Sequence, residues 1–214
     1  MTAAICFVFL LFLPCLGCAE DQKFELKPWE KRLNQRQPPL EILNAIGVKP
    51  GMVVGEIGAG TGRMTIWLAD RVGPEGRVVA NDINEDSLAQ LASRCETEGL
   101  RNVETILGEV EDPRLPAGVL DMVFMINVYH HAENPVALVR NAIPSLKPDG
   151  VLAIVECDPE KVDWGEEEGC TRKQDMIQQL DQAGFEDIRI EEQGFLKEDN
   201  IFLSRPGQKT RSSP

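Results

Sequence analysis

One ten-residue stretch constrains the fold of this chain more than any other. Val53-Val54-Gly55-Glu56-Ile57 is an apolar run that carries an acid near its end, and Gly58-Ala59-Gly60-Thr61-Gly62 follows with three glycines at alternate positions. An amphipathic helical pattern comes next. Because a strand, a tight turn and a helix N-terminus bring backbone N–H groups close to one point, this order predicts a socket for a small polar ligand.

Apolar runs and helical patterns alternate along the rest of the chain. Strands are predicted at 52–57, 77–82, 103–107, 120–126, 151–156, 188–192 and 201–204. Helices are predicted at 38–47, 61–72, 84–99, from 134 onwards and at 174–183. This alternation predicts an α/β fold with a doubly wound, mostly parallel sheet and helices on both faces. The last two strands are close in sequence, which predicts an antiparallel edge strand.

Composition divides the chain into four parts. Residues 1–19 are almost wholly apolar, which is typical of a signal peptide or a membrane-anchoring leader, although no Lys or Arg precedes the apolar run. A buried N-terminal helix and a misassigned start are the alternatives. Residues 20–39 are charged and rich in Gln and Pro, as in a linker or N-terminal strap. The folded domain is predicted at 40–205, and a polar, disordered tail at 206–214.

The leader favours an exported or membrane-anchored protein over a cytoplasmic one. Leu16-Gly17-Cys18-Ala19 is compatible with a signal-peptidase site or with a lipoprotein box ending at Cys18. Beyond the leader, Cys95, Cys157 and Cys170 are far apart and odd in number. We therefore expect each to be a small buried side chain or a free thiol rather than part of a disulfide framework, and the spacing predicts no metal site.

The net charge excludes one class of partner. The chain has 22 Lys and Arg against 35 Asp and Glu, a formal net charge of −13. Proteins that bind the phosphate backbone concentrate positive charge, so nucleic acid is not expected as a partner. A small-molecule substrate is expected instead, with membrane attachment only through the leader.

The candidate binding residues follow the strands, because ligands of open α/β sheets lie at the carboxyl ends of the strands. They are Glu56, Gly58, Ala59, Gly60 and Gly62 around the first strand, Asp82 and Ile83 after the second, Glu109 and Val110 after the third, and Asn127 after the fourth. In a dinucleotide fingerprint the third glycine comes one residue later, where this chain has Arg63. The early glycine and the preceding acid favour S-adenosylmethionine (SAM) over NAD.

Several segments together resemble the SAM-dependent methyltransferases of the Rossmann-like class, closest to the small-molecule and quinone-biosynthesis enzymes. The resemblance runs from about residue 48 to 205. It is carried by Glu56-Ile57-Gly58-Ala59-Gly60-Thr61-Gly62, Asn81-Asp82-Ile83, Gly108-Glu109-Val110-Glu111-Asp112, Tyr129-His130-His131-Ala132-Glu133-Asn134-Pro135 and Leu146-Lys147-Pro148-Asp149-Gly150. A weaker likeness to protein isoaspartate methyltransferases at 72–78 ranks lower, because those carry G-D-G where this chain has Gly108-Glu109-Val110.

The resemblance implies a role for each group. Glu56 holds the methionine ammonium, directly or through water. Asp82 accepts hydrogen bonds from the two ribose hydroxyls. Glu109 and the backbone of Val110 contact the adenine. The reaction implied is an in-line displacement, in which alignment and desolvation do most of the work and no general base is strictly required.

The catalytic residues are not identified by any motif. Tyr129, His130 and His131 are candidates, because they follow the fourth strand and imidazole titrates near neutrality. Two other functions are compatible with the same pattern. One is a nucleotide-dependent oxidoreductase on a Rossmann fold, and the other is a non-catalytic module that binds SAM.

Overall fold

A computed structural model describes residues 23–162 and 169–207. Its core is a seven-stranded sheet with the order β3-β2-β1-β4-β5-β7-β6. The strands are β1 Val53–Ile57, β2 Arg77–Asp82, β3 Val103–Leu107, β4 Leu120–Ile126, β5 Leu146–Cys157, β6 Phe185–Glu191 and β7 Asp199–Pro206. The helices are α1 Pro28–Arg36, α2 Pro39–Ala45, α3 Thr65–Val72, α4 Glu85–Thr97, α5 Pro135–Ala142 and α6 Lys173–Ala183.

The predicted doubly wound sheet is confirmed. The first five strands pair in parallel. The antiparallel pair lies at one edge as predicted, and β7 is its reversed strand, one place in from the edge because it pairs antiparallel with both β5 and β6. The strand order reverses between β1 and β4, so the carboxyl ends of β1, β2 and β4 flank the crevice where ligands of such sheets bind.

Successive side chains of β4 explain why helices cover both faces. Met122 and Phe124 belong to a core shared with helices α2, α3 and α4. Val123 and Met125 belong to the core on the other face, shared with α5 and α6. Since neighbouring residues of a strand point to opposite faces, a continuous apolar run has to be buried on both sides.

Helix α3 begins four residues later than predicted. Gly58, Gly60 and Gly62 all have positive φ, at +74°, +54° and +90°. A right-handed helix needs negative φ, so the regular helix starts only beyond this turn, at Thr65.

No helix is predicted before residue 38, but the segment 23–37 contains α1. It is held to the domain by a buried ion pair. Glu30 is fully buried and both its carboxylate oxygens accept hydrogen bonds from Arg94 of α4, at 2.6 and 3.1 Å. Arg94 also donates hydrogen bonds to the backbone carbonyl oxygens of Thr61 and Glu25. This segment therefore packs against the glycine turn.

The expectation for the cysteines is wrong at two positions. Cys157 and Cys170 form a disulfide. Cys157 ends β5 and Cys170 lies just before α6, so the chain returns to the same edge of the sheet and brings the two sulfurs together. Cys95 is a buried free thiol, as predicted. Burial raises its pKa to about 11, which keeps it protonated at neutral pH.

The predicted leader, at 1–19, lies outside the described residues, as does most of the tail. Within 23–162 and 169–207, no helix has the length and apolar character that a membrane crossing requires.

Candidate functional site

A cavity of about 300 Å³ opens at the carboxyl ends of β1, β2 and β4. This volume is at the lower end of the range for small-molecule sites, about 300–1,000 Å³. The cavity is lined by six of the ten predicted cofactor residues: Gly58, Asp82, Ile83, Glu109, Val110 and Asn127. The topology therefore brings residues from the four loops after β1, β2, β3 and β4 to one place.

Of the three glycines in the turn after β1, Gly58 and Gly62 are tightly packed and Gly60 is open. A Cβ at Gly58 would lie 2.3 Å from Cγ2 of Val128, so only glycine fits there. A Cβ at Gly60 would have no heavy atom within 4 Å. The open position leaves room for a ligand to approach the backbone.

Like Gly60, the other predicted residues of this turn, Ala59 and Gly62, are not among the residues that line the cavity. Ala59 packs its methyl group into the core and donates its N–H to the carbonyl oxygen of Asn81, at 2.9 Å. Gly62 packs below Leu91, whose Cδ1 would lie 2.4 Å from an added Cβ. These two residues shape the turn.

Glu56 lies behind the turn and is 2% exposed. Its carboxylate accepts a hydrogen bond from the hydroxyl of Thr65 at 2.6 Å. Burial raises the pKa of Glu56 to about 7, although Thr65 and the charge of Arg63 lower it. A buried carboxylate that is half-ionised near neutrality favours a ligand with a positive charge.

Asp82 is the best-placed acid of the cavity. One carboxylate oxygen accepts the N–H of Gly60 at 2.8 Å and the other accepts the N–H of Asn84 at 2.9 Å. Each carboxylate oxygen has a second lone pair, so both can also accept from a ligand hydroxyl. Asp82 therefore fixes the glycine turn and presents acceptors to the cavity at the same time.

Two apolar side chains at the cavity are exposed to solvent. Ile83 is 61% exposed and Val110 is 47% exposed. Glu109, which also lines the cavity, is ion-paired with Arg114 at the surface. Exposed apolar groups that line a cavity are typical of a site for a flat, apolar part of a ligand.

Asn81 was not predicted as a site residue, although it precedes Asp82 directly. It lines the cavity, and its side-chain amide donates to the carbonyl oxygens of Pro113 at 2.9 Å and Ile106 at 3.3 Å. These bonds hold the loop after β3 against the end of β2. The side chain also excludes a Cβ at Gly108, which would lie 2.3 Å from Nδ2 of Asn81.

Asn127 shows that the N-terminal segment contributes to the site. Its φ is +54°, and its side-chain amide forms two reciprocal hydrogen bonds of 2.9 Å with the amide of Gln37. Gln37 also donates to Asp199 at 3.0 Å and accepts from Arg63 at 3.0 Å. Gln37 was not predicted as a site residue, because its partners are distant in the chain and it belongs to no motif.

Arg63 occupies the position of the third fingerprint glycine and is 7% exposed. Its guanidinium donates to the side-chain oxygens of Asn34 and Gln37. Burial lowers its pKa to about 10, and the charge of Glu56 raises it. A buried, partnered arginine here replaces the close backbone packing that the dinucleotide fingerprint requires of glycine.

The three catalytic candidates have different environments in the structure. Tyr129 is buried, donates its hydroxyl to Gln179 at 3.0 Å, and has its pKa raised by burial. The side chain of His130 is 9% exposed, and its Nδ1 lies 2.5 Å from a carboxylate oxygen of the fully buried Glu156. His131 alone among the three candidates lines the cavity.

Comparisons with known proteins identify the family of this chain. A family model described as "Methyltransferase domain" matches residues 48–200. A solved SAM-dependent methyltransferase from Aquifex aeolicus is 27% identical, with a TM-score of 0.72 over 84% of this chain and 98% of that one.

Two curated relatives match a shorter part. Nocamycin O-methyltransferase of Saccharothrix syringae is 32% identical over 53% of this chain and 40% of its own length. The ubiquinone/menaquinone biosynthesis C-methyltransferase of Hydrogenovibrio crunogenus is 33% identical over 51% of this chain and 44% of its own length. The match thus spans less than half the length of these two relatives. The family model covers most of the chain and the predicted resemblance is confirmed: this chain belongs to the methyltransferase-domain family.

Proposed function

We propose that the protein transfers a methyl group from SAM to a small-molecule acceptor. The observation that carries the proposal is the cavity in which Gly58, Asp82, Ile83, Glu109, Val110 and Asn127 meet. These residues come from the ends of four strands, and a purely structural role does not require them to face one cavity.

The chemistry of the cavity residues fits SAM part by part. Asp82 has free acceptor capacity for two neighbouring hydroxyls, and Ile83 and Val110 offer apolar contact to a flat ring. Glu56 is a buried acid with a pKa of about 7, so the positive charge of the SAM ammonium would favour its ionised form. Gly60 leaves the backbone open to a close approach. When bound, SAM supplies an electrophilic methyl carbon attached to a sulfonium.

The contribution of the protein to the reaction is then alignment and exclusion of water. Asp82, tied to the N–H of Gly60, fixes the ribose side relative to the glycine turn. His131 is the candidate base that faces the cavity, and it is needed only for an acceptor whose nucleophile carries a proton at neutral pH. The net charge of −13 supports a small acceptor over nucleic acid. The two curated relatives, one named as a nocamycin O-methyltransferase and the other as a C-methyltransferase of ubiquinone/menaquinone biosynthesis, support the same class.

Binding of SAM against NADH tests the cofactor assignment. Titration calorimetry on the full chain should show SAM and its demethylated product binding with 1:1 stoichiometry and no heat from NADH. Tight NADH binding without SAM binding would select the oxidoreductase alternative. To test catalysis, radiolabelled SAM is incubated with the protein and a metabolite extract. Label should move into a small organic product, and SAM binding without any transfer would select the non-catalytic module.

We also propose that the protein works in an oxidising compartment, exported or anchored through the leader at 1–19. The disulfide between Cys157 and Cys170 supports this, because such bonds are rare where thiols are kept reduced. Peptide mapping of the protein purified from its own cells should give the Cys157–Cys170 cross-linked peptide and an N-terminus near residue 20, or a lipid on Cys18. Both thiols free and an intact Met1 in a cytosolic fraction would refute the proposal.

A further inference from the structure

A second group of chemistry-bearing side chains lies apart from the cofactor cavity. His130, Glu156 and Cys157 meet at the carboxyl ends of β4 and β5, and one ligand atom of each lies within 4.8 Å of the others. Cys170 adds a second sulfur, because it is bonded to Cys157. One imidazole, one carboxylate and two sulfurs therefore converge on one point.

Glu156 has an environment that is unusual for a carboxylate. Its side chain is fully buried. One carboxylate oxygen contacts Nδ1 of His130 at 2.5 Å and accepts the backbone N–H of Cys157 at 2.9 Å, and the other accepts the backbone N–H of His130 at 3.4 Å. Within the described residues, no Lys or Arg forms an ion pair with it. Buried carboxylates are normally paired with a cation or bound to a metal ion, and among the described residues the candidate cation here is His130, which is charged only when protonated.

We propose that these four side chains bind one Zn²⁺ when the disulfide is reduced. A phosphine or dithiol reductant supplies two electrons, the S–S bond breaks, and two protons complete the thiols of Cys157 and Cys170. Zn²⁺ then displaces both thiol protons and forms bonds to the two thiolates, to Nδ1 of neutral His130 and to the carboxylate of Glu156. The charges of two thiolates and one carboxylate leave the site with a net charge of −1.

The geometry needs only small movements to reach this state. Ligand atoms of tetrahedral zinc lie about 2.0–2.3 Å from the metal, hence roughly 3.3–3.8 Å from one another. The ligand atoms of His130, Glu156 and Cys157 now lie within 4.8 Å of one another, so the longest of these distances has to decrease. The 2.5 Å distance between Nδ1 of His130 and the Glu156 carboxylate has to increase to admit the ion. Thiolate and imidazole together favour zinc over magnesium or calcium.

The role of the ion follows from the number of its ligands. Four protein ligands make a closed site, which is typical of structural zinc. It would join the end of β5 and the segment before α6, which the disulfide links in the oxidised protein, to the turn after β4. The ring centroids of His130 and His131 are 4.0 Å apart. By holding His130, the ion would also support His131, which lines the cofactor cavity. We expect this form wherever the thiols stay reduced, including in the newly made chain.

The test uses the full chain, reduced with a phosphine and titrated without oxygen. Zn²⁺ affinity is measured by competition with a chromophoric chelator, and Co²⁺ serves as a spectroscopic probe. The reduced protein should bind one ion and show the absorption of tetrahedral cobalt with two thiolate ligands. The oxidised protein should not. His130→Ala should weaken Zn²⁺ binding by about 100-fold or more, since even outer-shell changes cost 10- to 100-fold.

Matched variants separate this site from other thiols, including those of Cys6, Cys15 and Cys18. The double variant Cys157→Ser/Cys170→Ser should lose the ion, whereas Cys95→Ser and His131→Ala should keep it. Equal zinc binding by the reduced wild type and the double variant would overturn the proposal, as would equal losses in His130→Ala and His131→Ala. If a variant fails to fold, the cobalt spectrum of the reduced wild type still tests the proposal. A spectrum of octahedral cobalt without thiolate bands would overturn the proposal. None of these outcomes depends on methyl transfer.

Discussion

Replacing Asp82 with alanine is expected to weaken SAM binding by about 100- to 1,000-fold. A hydrogen bond to a charged acceptor contributes about 1.5–3 kcal/mol, and two ribose hydroxyls would lose theirs together. A loss of about 3–4 kcal/mol corresponds to that change in Kd. The substitution also frees the N–H of Gly60, which Asp82 holds at 2.8 Å, so the glycine turn loses its anchor. Calorimetric titration of SAM measures the effect.

Two further variants show whether the loss comes from the carboxylate itself. Asp86→Ala removes an exposed acid four residues away on α4 and should leave the Kd unchanged. Asp82→Asn keeps one oxygen for the backbone N–H groups and should lie between wild type and Asp82→Ala. An affinity for SAM in folded Asp82→Ala within threefold of wild type would contradict the assignment of the ribose site.

Replacing Glu56 with glutamine is expected to make SAM affinity nearly independent of pH between 5.5 and 7.5. In the wild type, burial raises the pKa of Glu56 to about 7, so the carboxyl group is mostly protonated at pH 5.5 and ionised above pH 7. Only the ionised form attracts the ammonium of the ligand. The wild-type Kd should therefore fall as the pH rises through 7, until the ammonium itself loses its proton near pH 8. At pH 7.5 the variant should bind about 10- to 100-fold more weakly than wild type, and the two should converge at pH 5.5.

Proton release and unfolding provide independent checks on the same residue. Near pH 6.5, SAM binding should release protons from wild type but not from the variant, which calorimetry in buffers of different ionisation enthalpy detects. A carboxyl group whose pKa is raised in the folded state stabilises the fold most below its unfolded pKa of 4.5, and this stabilisation is lost as the pH rises to about 7. The variant lacks this loss, so its free energy of unfolding should increase relative to wild type over that range. Identical pH profiles in both proteins would refute the assigned role.

The sequence predicted the parts of the fold that depend on local chemistry. The apolar run of β4 indicated a strand buried on both faces, and the alternate glycines indicated the turn after β1. Asp82 was predicted because a strand end positions it in any sheet of this type. Such features need only a short window of sequence, since strand burial and turn conformation are set by neighbouring residues.

The contacts that could not be predicted join distant residues without a motif. Gln37 and Asn127 are separated by 90 positions, and His130 and Glu156 by 26. Cys157 and Cys170 pair only because β5 ends where α6 begins, so counting cysteines gave the wrong expectation. In each case the partner is determined by the topology of the sheet, which a single residue type does not encode.

The amide pair between Gln37 and Asn127 has a consequence for where the working unit starts. The family match begins at residue 48, which is after both α1 and α2. An expression fragment cut at that boundary would keep every glycine of the turn but remove Glu30 and Gln37. It would leave Arg94 and Arg63 without those acceptors and uncover the side of the cavity at Asn127. The recognisable domain is thus shorter than the part of the chain that builds the site, and fragments for assay or crystallisation should begin upstream of residue 23.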